Sequence, residues 1–179
     1  MGPLYFYLIT IPLLIFKMNP IGLAYFASLL GVAAVFLIYL LGKELFTAKI
    51  ALFAAFLYGV SNTVIVYSRT AWNPSPVPIL TILTIYALIK YLKTKSEKWY
   101  LSIWFFAALG GQLHYTYFYF IAALVIVLFF YQRNFPKWTK GIIKGAIVLF
   151  LINSSLLIFD LRHNFITSKA FIAFISGDK

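Results

Sequence analysis

No cysteine occurs in this chain, and only four of its 179 residues are Asp or Glu. The first absence rules out a disulfide framework, a thiolate zinc site and a cysteine nucleophile. The second leaves almost no material for paired-carboxylate catalysis, because Glu44, Glu97, Asp160 and Asp178 stand far apart along the chain. There is no phosphate loop, no G-x-S-x-G and no dinucleotide fingerprint. The two histidines, His114 and His163, match no metal spacing with Asp160, so no metal site and no cofactor are expected, with a divalent ion left open.

Apolar residues fill the space that charge leaves. They make up 63% of the chain, against 11% charged, and the mean hydropathy is +0.94. A water-soluble domain has too little interior to hide this much apolar surface, so lipid must cover much of it. The chain is expected to be a multi-pass integral protein of the cell membrane. A net charge of +11 would also suit a nucleic-acid binder. Its cations, however, sit in short gaps beside apolar runs rather than on one face or in a tail. Membrane lipids are therefore the expected partner and nucleic acid is not. Thirteen Tyr and four Trp fall mostly near the ends of the apolar runs, where an interfacial belt would place them.

The first apolar run, residues 4–16, is too short to cross a hydrocarbon core that needs about 20 helical residues, and Pro12 interrupts it. It reads as a helix lying at the membrane surface. Runs at 20–41, 48–67 and 76–92 have spanning length or nearly so. The run at 99–131 is long enough for two helices joined at Gly110-Gly111-Gln112-Leu113-His114, and a last run covers 141–159. Cations then sort by gap. Lys43 and Lys49, Lys90 to Lys98, and Arg133 to Lys144 place ten of the fifteen in alternate gaps, against Lys17, Arg69, Arg162, Lys169 and Lys179 elsewhere. By the positive-inside rule the dense gaps are cytoplasmic. The expected architecture is an all-α polytopic membrane protein, with about six transmembrane helices preceded by one juxtamembrane surface helix. It forms a single transmembrane domain over 1–179, with 1–17 juxtamembrane, 20–160 spanning and 161–179 external.

That topology sets Glu44 and Glu97 on the cytoplasmic side and collects another set of polar residues on the external side. Arg69, Asn73, Gln112, His114, Tyr115, Asp160, Arg162 and His163 come from separate helix ends and could line one outward cavity. A guanidinium at Arg69 could grip a phosphate through its fork, or snorkel to headgroups. Gln112 and His114 lie mid-way through a long apolar stretch, where polar side chains are expensive unless paired or wet. An imidazole there could be a general base, a proton shuttle or a hydrogen-bond donor, or be satisfied by a backbone carbonyl. Asp160 could pair with Arg162 as a solvated cap, leaving His163 and Asn164 for a ligand headgroup.

Three motifs carry a family likeness. Residues 2–8, GPLYFYL, resemble the (P/G)PLYYxL segment of the GT-C glycosyltransferases related to the dolichyl-phosphate-mannose protein mannosyltransferases and the bacterial aminoarabinose transferase. LIYLLGKELF at 37–46 is similar to a helix end of that family, and the alanine-rich helix followed by Tyr67-Ser68-Arg69-Thr70-Ala71 is similar to its "ySRxa" helix. The resemblance implies a GT-C-like fold and transfer of a sugar from a polyprenyl-phosphate donor to a protein, lipid or glycan acceptor on the external face. It implies that Arg69 lies near the carrier phosphate, with Gln112, His114 and residues 160–164 lining the same cavity. The family's catalytic acid precedes the PLYYxL segment, so it is expected upstream of Met1 and the chain is expected to be a fragment, inactive alone. Asn73 also stands where many relatives carry Asp. The alternative is a non-enzymatic polytopic protein, such as a glycolipid transporter or flippase subunit.

Overall fold

Proline, glycine and small polar residues decide where the apolar runs become separate helices. In the computed structural model, which describes residues 2–132 and 135–177, every regular element among the described residues is a helix. Of the residues weighed above, Arg133, Asp178 and Lys179 lie outside that range, as does the side chain of Lys137.

Helix α1 (Leu4–Ile15) starts at Pro3 and continues through Pro12 instead of breaking there. Lys17 and Met18 then take left-handed conformations, and the Asn19 side chain accepts the Ile21 N–H at 3.0 Å to open α2 (Ile21–Leu45). At about 1.5 Å per residue, α2 is roughly 37 Å long, more than a hydrocarbon core of about 30 Å. Thr47 caps α3 (Ala48–Val60) through the Ile50 N–H. Extended backbone at Ser61 then separates α3 from the short α4 (Asn62–Tyr67). The run expected at 48–67 is thus two helices, because Ser and Asn favour caps over helix interiors.

Helix α5 (Val77–Thr94) follows a proline-rich loop and stops at the left-handed Lys95, and α6 (Glu97–Leu113) turns back beside it with Glu97 at its positive end. The expected turn near His114 is present: His114 is extended, and α7 (Tyr117–Gln132) begins three residues on. Helix α8 (Phe135–Arg162) starts earlier than the apolar run it contains. Left-handed Asn164 and Phe165 then fold the chain into α9 (Ile166–Ser176).

Two antiparallel hairpins, α2–α3 and α5–α6, pack together along α2 and α5, with α8 against α6 and α7. The core lies among α5, α6, α7 and α8: Ala87, Tyr100, Ile103, Trp104, Ala107, Tyr117, Ile121, Leu124 and Leu128. In α2 and α3 the buried positions are small, such as Ala27, Ala34, Ala51 and Ala55, while Leu29, Val32 and Phe36 face outward. Small residues inside and large apolar ones outside is the packing of helices in lipid, where close backbone approach drives association. Gly42 shows the need for it, since a Cβ there would stand 2.9 Å from the Ala51 Cα.

Among the described residues, three helices are long and apolar enough to cross a membrane: Ile21–Leu45, Val77–Thr94 and Thr139–Arg162. The runs at Ala48–Val60 and Tyr117–Tyr131 form shorter apolar helices, as does Leu4–Ile15. The cations gather at one end of the bundle. There Glu44 of α2 meets Lys90 of α5 at 2.7 Å and Lys93 at 3.3 Å, and Lys144 of α8 pairs with Glu97 of α6. At the other end, α1 runs from the tip of α6 to the start of α2. The Gly2 N–H donates to the Gln112 carbonyl at 2.7 Å, and Gly22 abuts Pro12 and Phe16. A helix of this length tied at both ends to one rim runs along that rim.

Candidate functional site

At the cation-poor end a cavity of ≈ 340 Å³ opens between α2, α4 and the loop leading to α5. Its floor is a stripe of small residues on one face of α2, Ala27, Gly31 and Ala34, and its wall is Tyr58, Thr63 and Val64. Tyr67 and Trp72 stack in parallel at its rim, with ring centres 5.7 Å apart. The loop is held in shape by Ser75, whose oxygen accepts the Trp72 N–H at 3.0 Å and whose hydroxyl donates to the Thr70 carbonyl at 2.8 Å. The Ser28 hydroxyl ties α2 to the Ser68 carbonyl at 3.3 Å. A Cβ on Gly31 would come 2.8 Å from the Ser68 Cβ, so only glycine lets the loop sit down here.

Arg69 and Asn73 belong to this loop. Ser68 and Trp72 line the slot beside them, Arg69 is exposed and Asn73 is half-buried. The slot is thus apolar along its depth, with the cation of Arg69 in the loop that borders it. That arrangement suits an apolar chain carrying an anionic head.

Gln112 is nearly inaccessible, at 6% exposure, and acts as a clamp. Its side-chain amide donates to the Ile152 carbonyl of α8 at 2.6 Å while its backbone carbonyl accepts the Gly2 N–H. A Cβ on Gly2 would stand 2.9 Å from Gln112 side-chain atoms, which explains the glycine that opens the GPLYFYL motif. Tyr5 of the same motif is buried, and burial pushes its phenol above the ordinary range. Next to Gln112, the Asn153 Nδ2 donates to Leu149 at 2.9 Å, and its Oδ1 is buried without a partner among the described residues.

The two histidines carry opposite tautomers. At His114 the Thr116 N–H donates to Nδ1 at 3.3 Å, and the Thr116 hydroxyl lies 2.6 Å from the same atom. A backbone N–H can only donate, so Nδ1 is an acceptor and the proton of the neutral ring sits on Nε2. Half-buried and stacked on Tyr115 at 4.6 Å, His114 offers Nε2–H as a donor. At His163 the partner of Nδ1 is the Phe159 carbonyl at 2.8 Å, so Nδ1 donates there.

The structure does not bring all eight residues to one cavity. Helix α8 continues past Ile152, its contact with Gln112, by roughly 15 Å at about 1.5 Å per residue before reaching Arg162. Asp160 there is buried and turns to α9 rather than to Arg162, accepting the Ser168 N–H at 3.2 Å and its hydroxyl. Arg162 and His163 are exposed beside it. The His114 turn is nearer to the slot, because Val77 both lines the slot and packs on the core cluster containing Tyr117. Among the described residues, no three His, Asp or Glu side chains cluster as a metal site would need.

Residues 1–159 match the dolichyl-phosphate-mannose-protein mannosyltransferase family. The chain belongs to that family. It is accordingly a membrane glycosyltransferase chain of the mannosyltransferase type. Neither the curated proteins nor the solved structures contain a match to it. The slot, Arg69, Asn73, Gln112, His114 and Tyr115 all lie inside the segment matching the mannosyltransferases, whereas Asp160, Arg162, His163 and α9 lie beyond it. The slot floor and Tyr58 were missed in the sequence. The available signal was the spacing of Ala27, Gly31 and Ala34, one turn or so apart on a single helix face.

Proposed function

We propose that this mannosyltransferase-family chain binds a polyprenyl-phosphate sugar donor at its cation-poor end, for transfer to a protein, lipid or glycan acceptor on the external face. The observation that supports the reading is the apolar ≈ 340 Å³ slot with Arg69 in the loop at its mouth. Isoprene units would lie along Ala27, Gly31 and Ala34, where they displace little water and bury apolar surface. The phosphate would sit at the fork of Arg69, and His114 would offer Nε2–H to a carrier or sugar oxygen from the neighbouring turn. In the transfer itself, the bond from the anomeric carbon to the phosphate oxygen breaks as the acceptor oxygen bonds to that carbon. Charge then builds on the leaving phosphate, and a cation already placed there stabilises it. The base that takes the acceptor proton is not assigned to this chain, since Asp160 is occupied with Ser168.

The test is Arg69→Ala in the full gene product, reconstituted in nanodiscs and titrated with polyprenyl phosphate. Charge-assisted hydrogen bonds of this kind translate into a weakening of about 10- to 100-fold, with Arg69→Lys in between because a point charge lacks the fork. Unchanged affinity in Arg69→Ala would remove the phosphate from this site.

A further inference from the structure

The opposite end of the bundle holds a second, larger cavity of ≈ 680 Å³ between α5, α6, α7 and α8. Its lining is Tyr91, Lys95, Glu97, Tyr100, Tyr131, Lys140, Gly141 and Lys144. Nothing in sugar transfer uses this place, and its chemistry differs throughout from that of the outer slot. Three ammonium groups face one carboxylate, and Glu97 is matched by Lys144. Lys95 is held in place twice. Its backbone takes the left-handed conformation that ends α5, and its ammonium stands 3.9 Å from the centre of the Tyr131 ring. Tyr131 is itself fixed, its hydroxyl donating to the Leu92 carbonyl at 3.2 Å. A cation over an aromatic face keeps its charge and its donors. Gly141 leaves the α8 wall open between Lys140 and Lys144.

We infer that this cavity is a binding site for the phosphodiester headgroup of an anionic phospholipid of the cytoplasmic leaflet. Three observations point there together. The cavity lies at the end where the cations gather, which the positive-inside rule sets in the leaflet carrying anionic lipid. Its cations come from the ends of two helices, α5 and α8, so one phosphate would bridge elements that converge only in the folded bundle. Three tyrosine rings flank the lysines, a lining that suits the boundary between headgroup and acyl chain. A basic pocket between helix ends at that depth takes a lipid phosphate, with the acyl chains running down the outside of the bundle. The inference stands apart from the carrier reading, since among the described residues none is shared between the two cavities.

The experiment compares wild type with Lys95→Gln/Lys140→Gln, and with Lys17→Gln/Lys169→Gln, which removes equal charge elsewhere. Each is placed in phosphatidylcholine nanodiscs doped with phosphatidylglycerol, and the phosphatidylglycerol retained after extraction is counted by native mass spectrometry. At about fivefold per lysine, the first pair is expected to lose most of the retained lipid and the second to keep it. Millimolar inorganic phosphate is expected not to displace it. Equal loss in both pairs would mean diffuse attraction instead of a site. Displacement by inorganic phosphate would mean a site for free phosphate, and equal retention of phosphatidylcholine would mean no anion selectivity. Each of these results overturns the inference. Matching thermal melts for the three proteins keep misfolding out of the comparison.

Discussion

The two ends of this bundle are fastened by different physics. At the cation-rich end the ties are charges in partial contact with water. Glu44 holds Lys90 and Lys93, Glu97 holds Lys144, and Lys95 rests on Tyr131. At the cation-poor end the ties are neutral and largely buried. Gly2 presses on Gln112, Gln112 bonds α8, and the Thr84 hydroxyl meets the Tyr117 hydroxyl at 3.1 Å. The difference bears on function. On the carrier reading proposed above, the phosphate is best met by a cation free of a carboxylate, and among the described residues Arg69 forms no ion pair. Neutral fastenings let that end keep fixed geometry without an acid paired to Arg69.

The comparison breaks first at Gly110. A Cβ there would stand 2.4 Å from the Tyr117 ring, so Gly110→Ala must push the ring aside and strain its bond to Thr84. The expected loss is about 3 kcal/mol, from overpacking plus a disturbed buried hydrogen bond. Gly59→Ala is the control, because its nearest neighbour, Val35, is an ordinary 3.5 Å away and alanine is the better helix former. Thermal melts in detergent read both. If the two variants melt together, close packing does not fasten the cation-poor end. The next effect belongs to Gln112→Ala, expected to cost about 2 kcal/mol by removing a buried bond that joins α6 to α8. The same variant removes side-chain atoms packed by Gly2 but keeps the backbone carbonyl that accepts the Gly2 N–H, so proteolysis near α1 should rise only slightly, and a large rise would show that the side chain rather than the backbone bond seats α1.

How far all this could be read from residues alone varies by scale. The gathering of cations at one end followed from counting Lys and Arg by gap, because charge placement is a one-dimensional property that the fold preserves. That α1 is a short apolar helix was equally legible from its length. The break at Ser61 did not, since hydropathy averages over a window and one extended residue leaves the average unchanged. The slot was equally hidden. It exists because Gly31 admits Ser68, a meeting of residues far apart in sequence. Helix ends told that Asp160 and His114 share a face, but not that α8 outruns α6 and carries Asp160 away to α9. Histidine tautomers lie beyond sequence altogether, being set by which backbone group each Nδ1 happens to meet.

The smallest effect sharpens the comparison most. Glu44→Gln removes the carboxylate that ties α2 to α5, while leaving the shape of the side chain intact. Partly exposed pairs contribute little, so the melting temperature should move by only a few degrees. The informative quantity is the response to salt. Charges in contact with water are screened within about 10 Å at 0.1 M ionic strength and about 3 Å at 1 M. Wild type should therefore lose a little stability as salt rises, and Glu44→Gln should lose less. Gln112→Ala sits at the neutral end, so it should keep the full salt slope of wild type despite its larger cost. A salt slope lowered by Gln112→Ala and untouched by Glu44→Gln would invert the assignment of charged and neutral fastenings to the two ends.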